Sequence, residues 1–182
     1  MKVTECVEKA AMLLGIADEV CAYLNEGDTQ GQEQTERLVK CFNLVENELA
    51  LDYLPLFAEQ KVVNQNGKVD FLLLQKNVVR IAGVKNKAGE SVKFRLFPKY
   101  FEAPMGELTI IYSYTPPEKT LDGESDYATL SARLFGYGMA MNYALIMGLY
   151  EEASVWDKKY KEALEAAYRI RGAAVIRSRR WV

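Results

Sequence analysis

Residues 106–117 read GELTIIYSYTPP, and the period of this stretch decides how the chain is built. Leu108, Ile110, Tyr112 and Tyr114 alternate with Thr109, Ile111 and Ser113. Alternation at period two places one set of side chains on a core and the other towards solvent, as in a β-strand. Pro116 and Pro117 end the run, because proline cannot donate to a strand ladder.

Upstream of this strand, the segment from Phe57 reads as further strands divided by turn chemistry. Asn64-Gln65-Asn66-Gly67 is a hairpin signal between AEQKVV and KVDFLLL. Val78 to Val84 is rich in β-branched residues, and Asn86-Lys87-Ala88-Gly89 marks the next turn. SVKFRLF follows, with Val92, Phe94 and Leu96 on one face, and Ala103-Pro104-Met105-Gly106 leads into the strand first quoted. The short connections predict an antiparallel meander of about four or five strands.

On both sides of this region the period changes to that of a helix. Val3, Cys6, Val7, Ala10, Leu13 and Leu14 recur at helical spacing, with Gly15 as a stop. A second short helix is expected over 18–25, with Asp18 as its cap. A third runs from about Gln30 to Tyr53, capped by Asp28 or Thr29 and ended by Pro55. After the prolines, a polar crossover through Asp126 returns the chain to helix. One helix is expected over about Tyr127–Tyr150 and another over about Glu152–Ile170. Trp156, Tyr160, Leu164 and Ala167 share one face of the last, and Asp157–Lys161, Lys158–Glu162 and Lys161–Glu165 can pair across its turns.

The expected fold is therefore α+β. Residues 1–56 and 118–170 supply a helical bundle, 57–117 an inserted antiparallel β-meander, and 171–182 an extended arm. In the first C-terminal helix Gly136, Ala140, Ala144 and Gly148 fall four residues apart, a small-residue ridge that admits a neighbouring backbone within or between subunits. Leu134 to Tyr150 carries no charge, but its glycines and Asn142 favour a buried helix over a membrane span.

Composition narrows the chemistry. The chain has no histidine, so hydrolase triads with a His base and most zinc enzymes are excluded. It has no phosphate-binding glycine loop and no C-x-x-C pair. Cys6, Cys21 and Cys41 are an odd set without short spacing, and read as small buried hydrophobes. Carboxylates acting alone remain, with Asp122, Glu124 and Asp126 in one loop. These read as a solvated acidic linker, and Glu46, Glu48, Glu151 and Glu152 as surface charges. No enzymatic activity, cofactor or metal is expected.

The charge distribution carries more information. Residues 169–182 (RIRGAAVIRSRRWV) hold five of the 23 basic residues and no acid, which leaves 18 Lys and Arg against 25 Asp and Glu in the rest of the chain. An arm with Arg171, Val175, Ile176, Arg177, Arg179, Arg180 and Trp181 on an acidic body suits protein docking, since Arg and Trp dominate interface hot spots. The competing readings are a frayed terminus and a nucleic-acid contact, in which the arginines meet phosphates and Trp181 stacks on a base.

The succession GELTIIYSYTPP (106–117), GYGMAMNYALIMGLYEEA (136–153), WDKKYKEALEAA (156–167) and RSRRW (177–181) resembles the head–tail connector, or adaptor, proteins of tailed bacteriophages and prophages. It is most similar to the tail tubular or head-completion adaptors of short-tailed phages. Over 1–55 only the helical pattern is shared. The resemblance implies a structural virion protein in the neck, made in the host cytoplasm. It implies a homo-oligomeric ring, commonly of twelve copies, beneath the portal protein and above tail or nozzle proteins, passing DNA without sequence specificity and without contact to membrane. In that family a C-terminal extension reaches into the portal, and the matching segment is Arg171–Val182. Some members have been linked to peptidoglycan hydrolysis, which nothing in this sequence supports. Another neck or tail-completion protein and a DNA-binding packaging accessory are the alternatives.

Overall fold

A computed structural model of the chain describes residues 1–27 and 29–172. The fold is α+β, with helices at both ends of the sequence and two small antiparallel sheets between them. The chain divides into two compact units: Met1–Glu46 with Lys119–Val182, and Asn47–Glu118.

The first unit is helical. Helix α1 (Val3–Leu14) buries Val3, Cys6, Val7, Ala10 and Ala11, the stripe that its spacing predicted. Gly15 ends it in the left-handed conformation, its N–H donating to the carbonyls of Ala11 and Met12. Helix α2 (Ala17–Glu26) starts one residue before Asp18, which therefore lies in its first turn and does not cap it. A 3₁₀ turn at Thr29–Gly31 precedes α3 (Gln32–Glu48), which buries Leu38, Cys41, Phe42 and Val45. The expected single helix to Tyr53 instead changes to a wider π turn at Leu49–Tyr53 before Pro55.

Helix α4 (Ala132–Ile146) begins later than expected, where the Ser131 hydroxyl oxygen accepts from the Leu134 N–H and caps it. It buries Leu134, Phe135, Gly136, Gly138, Met139, Ala140, Tyr143 and Ala144, more than one stripe can hold. This is the pattern of a central helix covered on several sides, which explains the long uncharged run. It packs against α1 and against α5 (Tyr150–Gly172), and Phe135 stacks on Phe42 of α3 with ring centres 5.0 Å apart. None of the described helices is long and apolar enough to cross a membrane.

The second unit holds six strands: β1 (Leu56–Asn64), β2 (Lys68–Asp70), β3 (Asn77–Asn86), β4 (Arg95–Leu96), β5 (Tyr100–Glu102) and β6 (Gly106–Thr115). They are antiparallel, but they do not form a meander of sequential neighbours. One sheet has the order β1-β6-β3 and the other β2-β5-β4. Strand β6 is the centre of the β1-β6-β3 sheet, with Leu108, Ile110, Tyr112 and Tyr114 all facing the core. Val69, Leu74, Ile81, Val84 and Phe101 complete that core.

The expected hairpin at Asn64–Gly67 is a passage between sheets. The Asn64 side-chain amide donates to the carbonyls of Ala103 and Pro104, and the Ala103 N–H donates to the Gly67 carbonyl. The turn is thus bonded to the β5–β6 connection, and β1 pairs with β6 while β2 pairs with β5. The turn at Asn86–Gly89 forms as expected, with Asn86 Oδ1 accepting from the N–H groups of Ala88 and Glu90. Of SVKFRLF, only Arg95–Leu96 is a strand, because Val92 and Phe94 pack as isolated anchors against the core.

Candidate functional site

Glu46 is the buried carboxylate of the helical unit. It lies on α3 one turn after Phe42, on the flank of the apolar stripe, and is only 1% exposed. It is not the surface charge expected from the sequence. Its Oε1 accepts from the Ser125 hydroxyl at 2.6 Å and from the Asp126 N–H at 2.9 Å. Burial raises the Glu46 carboxyl above its ordinary range; the two hydrogen bonds and the charge of Lys119 oppose that shift.

Around it the crossover segment is stitched down. Asn43 donates from its amide nitrogen to the Lys119 carbonyl and accepts from the Lys119 N–H through its amide oxygen. Lys119 Nζ lies 2.8 Å from Asp126 Oδ1, both largely shielded from solvent. At the other side, the Val3 N–H donates to the Gly123 carbonyl and the Ser125 N–H to that of Met1. The Thr4 hydroxyl donates to the Leu121 carbonyl. The acidic loop is therefore no freely solvated linker. Asp122 and Glu124 face solvent, whereas Asp126 is held by Lys119. No group of His, Cys, Asp or Glu among the described residues is placed to hold a metal ion.

The small-residue ridge is divided by the structure. Gly136, Ala140 and Ala144 are buried on α4. A Cβ at Gly136 would meet Lys9 Cγ at 3.1 Å and Leu13 Cδ1 at 3.4 Å, so this face of the ridge packs on α1 within the chain. Gly148 is not part of it. The helix ends at Ile146, and Gly148 has φ 75° with open space where a Cβ would sit. On α4 the closest approach belongs to Gly138, which the four-residue spacing had passed over. A Cβ there would lie 2.8 Å from Val45 Cγ2 of α3 and 2.9 Å from Tyr160 Cε2 of α5.

Beyond Ile146 the chain turns from α4 to α5. Leu145, Ile146, Met147, Leu149 and Tyr150 are 44–72% exposed there, five large apolar side chains in six consecutive positions. Leu130, just ahead of α4, with Arg133 and Tyr137 of α4 and Lys159, Ala163 and Ala167 of α5, contributes to a groove of about 780 Å³. At its rim Tyr137 stacks on Trp156, with Lys159 Nζ 4.6 Å from the Trp156 ring centre. Trp156 is thus half-buried by aromatic stacking, while Tyr160 and Leu164 on the same helix are fully buried. Of the pairs expected along α5, Asp157–Lys161 forms at 2.7 Å.

Among the arm residues, Arg171 belongs to α5, which runs on to Gly172. Val175, Ile176, Arg177, Arg179, Arg180 and Trp181 lie outside the described residues. The cysteines are free thiols, with Cys6 and Cys41 buried and Cys21 partly exposed. Burial pushes the Cys6 thiol up to about 12 and the Cys41 thiol up to about 11. A maleimide added at neutral pH should therefore modify Cys21 well before the other two, as read by peptide mass; equal rates at all three sites would contradict the packing of α1 and α3.

No protein-family model matches the chain, and no curated protein matches it either.

Proposed function

We propose that this chain is a structural assembly subunit, a head–tail connector that forms a ring beneath a phage portal. In this reading it docks into the portal through Arg171–Val182 and prolongs the DNA channel. The observation that carries the assembly reading is the α4–α5 turn, where Leu145, Ile146, Met147, Leu149 and Tyr150 stand in water together. Apolar side chains concentrated in this way mark a surface that another protein covers. These polar groups of the helical unit point the same way: Glu46 Oε1 accepts from Ser125 and Asp126, and Asp126 is held by Lys119, so they serve to hold the chain together. The connector identity rests on the sequence resemblance, and the α+β plan with helices from both chain ends is compatible with it.

The test is the mass of the free chain and of its mixture with a portal ring. Stoichiometric binding to portal, giving ring-sized particles in the mixture, is expected. A chain that neither rings nor binds portal overturns the connector reading. Removing residues 171–182 should leave the circular dichroism spectrum and the unfolding midpoint nearly unchanged while abolishing portal binding. Undiminished portal binding by the truncated chain would remove the arm from the interface. A binding constant that falls steeply with salt, measured on DNA in place of portal, would favour the packaging-accessory reading.

A further inference from the structure

We propose that β1 is a docking strand for a second copy of this chain, whose own β1 pairs with it antiparallel across a two-fold axis at Gln60. β1 and β3 are the two edges of the β1-β6-β3 sheet, and they are unlike. Along β3 the register slips between Val78 and Arg80 and again between Ile81 and Gly83. Ser91 bridges to Lys85, and the Val92 N–H donates to the Val84 carbonyl. Bulges and a covering segment are how natural sheets keep an edge from recruiting another strand.

β1 has neither protection. Its register against β6 runs unbroken from Leu56↔Tyr114 to Asn64↔Gly106. Leu56, Ala58 and Val62 pack towards the core, and Gln60, on the same face, accepts from the Gln75 N–H and donates to the Leu73 carbonyl. On the opposite face Phe57 and Val63 are 60% and 63% exposed, with the exposed Glu59 and Lys61 between them. A regular nine-residue edge flanked by exposed apolar side chains is open to strand addition.

The order of those side chains identifies the occupant. In an antiparallel pair, directly opposed residues share a face, so a two-fold axis normal to the sheet must pass through a residue position. With the axis at Gln60, Phe57 opposes Val63 and Glu59 opposes Lys61, each pair occurring twice. Ala58 opposes Val62 on the other face. Aromatic with β-branched and acid with base are the favourable cross-strand combinations. Moving the axis to Glu59 or Lys61 sets two like charges against each other. The strand is self-complementary in one register, as an isologous contact between identical subunits requires. A two-fold contact builds a pair and not a ring, so the inference stands on β1 alone and is tested on the free chain without portal.

Sedimentation of the full chain over micromolar concentrations should show a monomer–dimer equilibrium. Lys61→Glu and Glu59→Lys each oppose like charges twice and should weaken the pair by about tenfold or more. Both positions are exposed, and their β6 partners are Thr109 and Ile111, so neither change removes an ion pair within the chain's own ladder. The double variant E59K/K61E restores both opposite-charge pairs and should recover wild-type association. An equimolar mixture of the two single variants should form a heterodimer, since one strand then offers two acids and the other two bases. Hydrogen exchange of the unmodified chain gives an independent reading: β1 amides should gain protection as concentration rises. A wild-type chain that stays monomeric, a dimer indifferent to either charge reversal, or a double variant as weak as the singles overturns the proposal.

Discussion

Gly138→Ala is expected to destabilise the helical unit by about 2–3 kcal/mol, the cost of overpacking a filled core. The added methyl would come within 2.8 Å of Val45 Cγ2 and 2.9 Å of Tyr160 Cε2. Neither neighbour can yield easily. Valine is stiff about its first torsion, and Tyr160 is 1% exposed and enclosed on α5. Gly136→Ala meets softer neighbours, because Lys9 Cγ and Leu13 Cδ1 belong to flexible side chains on α1. The gain of about 0.5–1 kcal/mol in helix propensity should offset most of that crowding. At Gly148 the obstacle is the backbone: φ is 75°, and alanine there costs roughly 1 kcal/mol although the space is open. Urea unfolding of the three variants should rank the losses in the order 138, 148, 136. Equal losses at 136 and 138 would mean that α4 does not sit against α3 and α5 as described.

This ranking also shows what the sequence discloses and what it withholds. Spacing of four residues picked out Gly136, Ala140 and Ala144 as a packing ridge, and all three are buried on α4, because they repeat along one helix face. It could not locate Gly138, whose importance comes from Val45 and Tyr160, side chains distant in sequence. The period-two pattern of 106–115 named the inward face of β6, since alternation is local to the strand. Strand partners are not local, and the Asn64–Gly67 signal gave no hint that the Asn64 side chain would bond the Ala103 and Pro104 carbonyls and redirect β2 to the other sheet. Glu46 was legible in principle. It stands four residues after Phe42 and three before Leu49, both wholly buried, so helical period alone points it inwards. Its charge argued the other way, and the donors that make its burial tolerable, Ser125 and Asp126, are 79 and 80 residues away in sequence.

Glu46→Ala is expected to cost about 3 kcal/mol, because it leaves the Ser125 hydroxyl and the Asp126 N–H without their acceptor inside the fold. Glu46→Gln should cost much less, since an amide oxygen can accept from both donors. The carboxyl and the amide differ in their response to pH. Burial raises the Glu46 carboxyl, so the folded chain takes up a proton at a higher pH than the unfolded chain does. Between the ordinary glutamate value and the raised one, the folded state binds more protons, and stability falls as pH rises through that window. Below the window the protonated side chain is buried without charge; above it the folded state carries the full desolvation cost of the carboxylate. The amide of the Glu46→Gln variant has no proton to lose, so its stability relative to wild type should improve as pH rises across the window and stay level on either side. Urea unfolding over a pH series, from acid to neutral, measures that difference directly. A gap independent of pH would mean that burial does not raise the carboxyl, and a Glu46→Ala variant as stable as Glu46→Gln would show that the side chain is not what holds residues 125 and 126. The consequence reaches the assembly reading, since these bonds, with those of Asn43 to Lys119, fix where the chain re-enters the helical unit ahead of α4. If they are the anchor, Glu46→Ala should speed hydrogen exchange along 119–127 before it affects the buried face of α4.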